Sequence, residues 1–229
     1  MRPSDDPGER EEREAWRARV GDFDKVAHAA RALLAGDMGP IAESLSLSGI
    51  GRPTIRLDPL GASLDHAPLI ALHAYWTARC GPGGAPPPAR AIDDDYPSGL
   101  EGKLHRLETD ATGFDYVFRV YAPAVAAHAG KDWTGWSLGA LALKTAGGLG
   151  IFYRAMQAAS ALTRRPVESL HNSPVWISAS TWRRFTVPFL DETGAATHFL
   201  VATVPIAFRR RTPEEEAEFA RRLAPGKPD

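Results

Sequence analysis

The sequence predicts an α+β chain: a leading helix, a two-stranded hairpin, short helices, one longer helix and three closing antiparallel strands. Three observations carry this. Phe114, Tyr116, Phe118 and Val120 alternate with other side chains at period two, as a strand does. Ser178 to Leu190 and Thr197 to Ile206 are strand-like runs joined by Asp191-Glu192-Thr193-Gly194, a hairpin turn. Between these regions, GLGIFYRAMQAASAL at 148–162 sets Ile151, Phe152, Ala155, Met156, Ala159 and Leu162 on one broad face, the spacing of a helix.

The elements follow in order. Residues 1–21 are rich in mixed charge, and Glu9 to Val20 is either a solvated helix or a frayed tail. Asp22 reads as an N-cap before Phe23, Val26, Ala27, Ala30, Leu33 and Leu34, with Gly36 and Pro40 ending that helix. In IAESLSLSG, Leu45 and Leu47 alternate with serines and read as a short strand; TIRLD reads as a second. Residues 1–62 are therefore taken as a partly ordered N-terminal extension. Asp65 caps a second helix, HAPLIALHAYWTARC, with Leu69, Leu72, Tyr75, Trp76 and Arg79 three and four apart and Gly81-Pro82 as its stop. GPGGAPPPAR is a stiff, turn-rich crossover. A short helical turn is read over 97–102. Lys103 to Thr109 and Phe114 to Tyr121 form the hairpin around Ala111-Thr112-Gly113, and PAVAAHAG is a short helix. Val167 to Asn172 is the first of the closing strands. Thr212-Pro213-Glu214-Glu215 is a capping box opening a charged helix to about Leu223, so 208–229 is a C-terminal helix and tail.

Composition narrows the classes of function. With 229 residues and 44% apolar side chains, the chain is large enough for a substantial core. A net charge of −1 argues against a general affinity for nucleic acid. The single cysteine, Cys80, excludes an intramolecular disulfide and a Cys-based zinc site, and fits a reducing cytoplasm. No apolar run is long enough for a membrane helix, and the charged N-terminus has no signal-peptide core. Motifs for a nucleophile elbow, a zinc protease or a P-loop are absent, so no catalytic residue is assigned. TAGGLG at 145–150 lacks the P-loop lysine and reads as a loop entering the helix. Asp93-Asp94-Asp95 reads as a solvated loop or cap, since consecutive carboxylates point apart; no metal is assigned.

KDWTGWSLGAL sets two tryptophans around a glycine. Large aromatics bring apolar area, and the glycine supplies backbone freedom at a bend. The stretch is either a packed corner or the rim of a pocket.

Taken together, LHAYWTAR (72–79), GGAPPPARAID (83–93), FDYVFRVY (114–121), DWTGWSL (132–138), IFYRAM (151–156) and RRPVES (164–169) resemble a bacterial PAS-like family. The resemblance spans 66–207. It implies a five-stranded antiparallel sheet with helices on one face, enclosing a small cavity that binds a ligand or is simply filled. It implies pocket candidates Tyr116, Phe118, Arg119, Trp133, Trp136, Phe152, Tyr153, Met156 and His171. Arg119 either anchors an anion or sits in an ion pair on the strand. Haem through His128 or His171 is disfavoured, because a lone histidine is weak evidence. LOV-type flavin chemistry is disfavoured because Cys80 precedes the core. The cofactor is left unknown. Leu69, Leu72, Tyr75 and Trp76 either meet a partner subunit in a homodimer or cover the sheet.

The expected function is a stand-alone cytoplasmic sensory or regulatory module. Its partner is a small molecule or a regulatory protein, not nucleic acid or membrane, and it signals through its flanking helices, 66–80 and 213–223, or through dimerisation. The alternatives are a protein-interaction scaffold with a filled core and, least supported, a small enzyme.

Overall fold

The computed structural model describes residues 21–92, 99–111, 113, 115–129, 132–140, 148–174, 177–210, 212–214 and 216. The acidic run at 93–95, the turn at 97–98, Phe114, and the N-terminal and C-terminal charged helices, apart from a first turn at Thr212, lie outside them.

The architecture is α+β. Strands β1 (Thr54–Leu57), β2 (Leu104–Thr109), β3 (Tyr116–Val120), β4 (Val167–Asn172), β5 (Ala179–Leu190) and β6 (Ala196–Phe208) form one antiparallel sheet in the order β1-β4-β5-β6-β2-β3. The β5–β6 turn falls where the sequence places it. Gly194 takes φ +82°, and Asp191 Oδ1 accepts from the Thr193 and Ala195 amides at 2.9 and 3.0 Å.

The sheet has six strands rather than five. The added strand is β1, from the N-terminal extension, on the free edge of β4. Its hold is partly electrostatic: Arg56 stands opposite Glu168 in the register, and its Nε donates to Glu168 Oε2 at 2.5 Å. Arg183 Nε lies 3.2 Å from the other oxygen of this buried carboxylate.

Both faces of the sheet are covered, a second departure from expectation. Helix α3 (Ala67–Thr77, with α1 and α2 given below) packs on one face against Phe185, Val187, Phe189, Leu200 and Ala202. Leu69, Leu72, Tyr75 and Trp76 are buried there, and Trp76 Nε1 donates to the Pro188 carbonyl at 2.7 Å. These four residues thus cover the chain's own sheet; the partner-subunit alternative is not the contact they make. Asp65 does not cap α3. Its carboxylate pairs with Arg183, which also pairs with Glu168, and no side chain caps the helix at His66.

The opposite face carries α5 (Gly148–Thr163), with α4 (Pro123–Ala129) beside it; Phe199, Val201, Leu107 and Phe118 share one core with Phe152, Met156 and Ala159. Helices α1 (Gly21–Leu34) and α2 (Gly39–Ser46) pack outside α5. The expected strand at IAESLSLSG is this α2. Pro40 lies in its first turn, Ile41 and Leu45 are one helical turn apart and buried, and Leu47 is 79% exposed. Two-residue alternation over so short a run competes with four-residue spacing, and the flat flank of α5 decides for the helix. That flank is Gly148. The Ser44 hydroxyl donates to its carbonyl and its amide donates to the Ser48 hydroxyl, both at 3.0 Å.

Candidate functional site

The chemistry gathers between α5 and the sheet. Side chains alternate along a strand, so Arg183 and Arg184 at the middle of β5 must face opposite ways. Arg183 joins Asp65 and Glu168 on the α3 side. Arg184 points under α5 and is 6% exposed, its guanidinium carbon 4.2 Å from the centre of the Tyr153 ring. Its register partners are Ser169 on β4 and Thr203 on β6, so the three side chains form one row on the buried face.

Two buried histidines flank this row. His171 Nε2 lies 2.9 Å from the Tyr153 hydroxyl, and its ring is 5.0 Å from that of Phe152. His105 sits 5.4 Å from the Phe118 ring and 4.6 Å from that of Tyr121, and its Nδ1 accepts the Ala122 amide at 3.0 Å. Burial first, and the Arg184 charge second, push both imidazoles well below their ordinary pKa, so both are neutral. Burial raises the Tyr153 and Tyr121 hydroxyls, so both keep their protons.

Several atoms in this interior make no hydrogen bond: Arg184 Nε and Nη2, His105 Nε2, His171 Nδ1, Gln157 Oε1, Ser169 Oγ and Thr203 Oγ1. The tautomers decide their character. His105 Nδ1 accepts the Ala122 hydrogen bond and so carries no proton, which leaves the neutral ring's one proton on Nε2. With the Tyr153 hydroxyl donating to His171 Nε2, His171 Nδ1 is the protonated nitrogen. The orphaned atoms are then mostly donors.

The pocket candidates read from sequence divide. Tyr116, Phe118, Phe152, Tyr153, Met156 and His171 all lie in the α5-side core. Tyr153 and His171 touch Arg184 or each other, while Tyr116 packs edge-on to Phe199 at 5.5 Å, away from that polar row. Arg119 falls on the other face. It is 56% exposed and donates to Glu108 at 2.6 Å, so of its two readings the strand ion pair is the one it makes.

Trp133 and Trp136 form the corner foreseen for them. Trp133 is buried, Trp136 half-buried, and the rings meet edge to face at 5.7 Å. Gly135 takes φ +86°, which lets the chain turn back onto β3. There the Gly135 amide donates to the Phe118 carbonyl at 2.7 Å, and the Phe118 amide to that of Trp136 at 2.9 Å. Nearby, Asp115 is fully buried and accepts the Tyr116 and Gly139 amides at 2.8 and 3.0 Å; burial raises its carboxyl. That group ties the corner to the hairpin.

His128 lies apart from His171, with Nδ1 3.0 Å from the Ser178 hydroxyl and its ring 5.2 Å from Phe208. Cys80 packs on the α3 side of the sheet, and burial raises its thiol. Among the described residues, no three His, Cys, Asp or Glu side chains cluster as a metal site.

Sequence reading missed Arg184, His105, Gln157, Ser169 and Thr203. One signal was present. Two consecutive arginines inside a long strand put one on each face, and Trp182, Arg184 and Thr186 share a face at period two. With helices expected on one face, one of the two arginines had to lie under them, but nothing local told which.

No helix among the described residues is long and apolar enough to cross a membrane. No family model matches the chain, and no curated protein matches it. A solved structure titled "Structure of an RNA-binding Light-Oxygen-Voltage Receptor" is similar over 95% of this chain and 67% of its own, at 14% identity and a TM-score of 0.36.

Proposed function

We propose that the chain is a PAS-type sensory or regulatory module that holds a small molecule between α5 and the sheet. The order of elements supports the fold part of this reading: a hairpin, short helices, a long helix, then three antiparallel strands, with the five strands β4-β5-β6-β2-β3 contiguous in the sheet. The observation that carries the function is the set of buried, unpartnered polar atoms around Arg184. Each such group left without a partner costs about 1–3 kcal/mol. A core kept only for packing has no use for them, whereas a bound molecule meets them.

A route outward exists. Helix α5 covers the site on one flank and holds α2 on the other through Ser44, Ser48 and Gly148. A ligand that favours one position of α5 therefore biases the N-terminal helices, and such a preference is what signalling requires. The reading is of a binding protein, not an enzyme, acting in the cytoplasm on neither nucleic acid nor membrane.

The test compares native and denatured masses of gently purified full-length protein, with an absorption spectrum. A mass excess that disappears on denaturation supports the reading. Equal masses, a featureless spectrum and no thermal response to a broad metabolite library refute it and leave the protein-interaction scaffold.

A further inference from the structure

We infer that the interior site is built for a small monocarboxylate, its carboxylate taken by Arg184; this deepens the ligand-binding reading above and rests on it. The first argument is charge. The chain supplies carboxylates to its other strand arginines: Glu168 to Arg56, Asp65 and Glu168 to Arg183, Glu108 to Arg119. Arg184 is the most deeply buried of these, and among the described residues no carboxylate pairs with it. Its neighbours are Tyr153, with the neutral His105 and His171. Arginine keeps its proton in proteins, so a buried positive charge stands without a counter-ion.

The second argument is the balance of donors. Arg184 Nε and Nη2, His105 Nε2 and His171 Nδ1 are unpartnered N–H groups, and the Ser169 and Thr203 hydroxyls beside Arg184 are free to donate. Gln157 Oε1 is the one obligate acceptor of the set. A ligand made to this pattern offers acceptors in excess and accepts from an arginine fork, which a carboxylate does with two oxygens. A phosphate dianion offers acceptors too, but leaves one uncompensated negative charge against a single guanidinium in a buried site. Phe152, Met156 and Trp182 belong to the apolar core around this set, so the acid carries an apolar body.

The experiment titrates full-length protein, freed of bound small molecules, by calorimetry. The probes are benzoate, phenylacetate and 4-methylpentanoate, each beside its primary amide, and inorganic phosphate. At least one acid binds, and binds about a hundredfold tighter than its amide. Arg184→Gln weakens that acid by a similar factor, while the unliganded variant melts no lower than wild type, because a lone buried charge has been removed. Arg184→Lys, which keeps the charge and loses the fork, is intermediate. An amide that binds as well as its acid overturns the inference, as does binding of phosphate alone or an acid indifferent to Arg184→Gln. A much lower melting point for unliganded Arg184→Gln with no acid bound also overturns it, and makes Arg184 a structural group satisfied by water. Negative-ion mass spectrometry of anything co-purified with wild type stands apart from the variants. An apolar acid supports the inference. A neutral or cationic molecule overturns it while the small-ligand reading survives. No molecule, with no response to any acid or amide, overturns the inference, and the small-ligand reading falls with it when the metabolite library is also silent.

Discussion

Gly148→Ala tests how the N-terminal helices are held. A Cβ on Gly148 would lie 2.0 Å from the Ser44 carbonyl oxygen and 2.7 Å from the Ser48 hydroxyl. The first contact is with backbone, so α2 must move away from α5. Overpacking of this kind costs about 1–3 kcal/mol. The same movement breaks the hydrogen bonds from the Ser44 hydroxyl and to the Ser48 hydroxyl, each worth about 1 kcal/mol. Alanine returns up to about 1 kcal/mol through helix propensity, less at a first-turn position. The net expectation is a loss of about 2–5 kcal/mol, read as a lowered urea midpoint at unchanged m. Gly51→Ala is the control. Its Cβ would meet nothing within 4 Å, so that variant is neutral or stabilised by about 0.4–1 kcal/mol. If Gly148→Ala is as stable as Gly51→Ala, α2 does not rest on α5 through this glycine, and the route proposed from ligand to N-terminal helices is lost.

Further outcomes follow from the same packing. Leu69→Ala removes a fully buried side chain of α3 and lowers stability by about 2–5 kcal/mol, with no change in sedimentation coefficient; a stable variant with altered assembly would make α3 an interface. Tyr153→Phe strips His171 Nε2 of its partner and destabilises the chain by about 1–2 kcal/mol in urea melts; a neutral result would mean the hydroxyl and imidazole do not bond. His105 and His171 are held neutral when folded and titrate near 6.5 when unfolded, so the unfolded chain binds more protons below that pH. Stability is therefore full above about pH 6.5 and falls as pH drops, by about 1.4 kcal/mol per unit for each histidine, until the folded imidazoles titrate. Asp115, whose carboxyl burial raises, works in the opposite direction at the acid end, and Asp115→Asn removes its contribution. Urea midpoints that stay flat between pH 7.5 and 5.5 in Asp115→Asn would refute the neutral, buried state of the histidines.

Among the described residues, the order and type of the helices and strands between 66 and 208 were legible in the sequence because their signals are local. Alternation in β3, the Asp191–Gly194 turn and the broad apolar face of α5 each depend on residues a few positions apart. Periodicity also tells which side chains share a face of a strand or helix. It does not tell what will lie against that face. Only tertiary contact set α3 on the far side of the sheet, turned 39–46 into a helix against Gly148 and drew β1 onto the edge of β4 opposite Glu168. The candidate site was half legible for the same reason. Tyr153 and His171 sit on elements close in sequence and were named. Arg184, His105, Ser169 and Thr203 come from four strands whose register no local pattern encodes, and Arg184 is buried because its face of β5 is the one that α5 covers. Local chemistry determined which elements this chain makes; the packing of one element on another decided which of its charged groups lost their water.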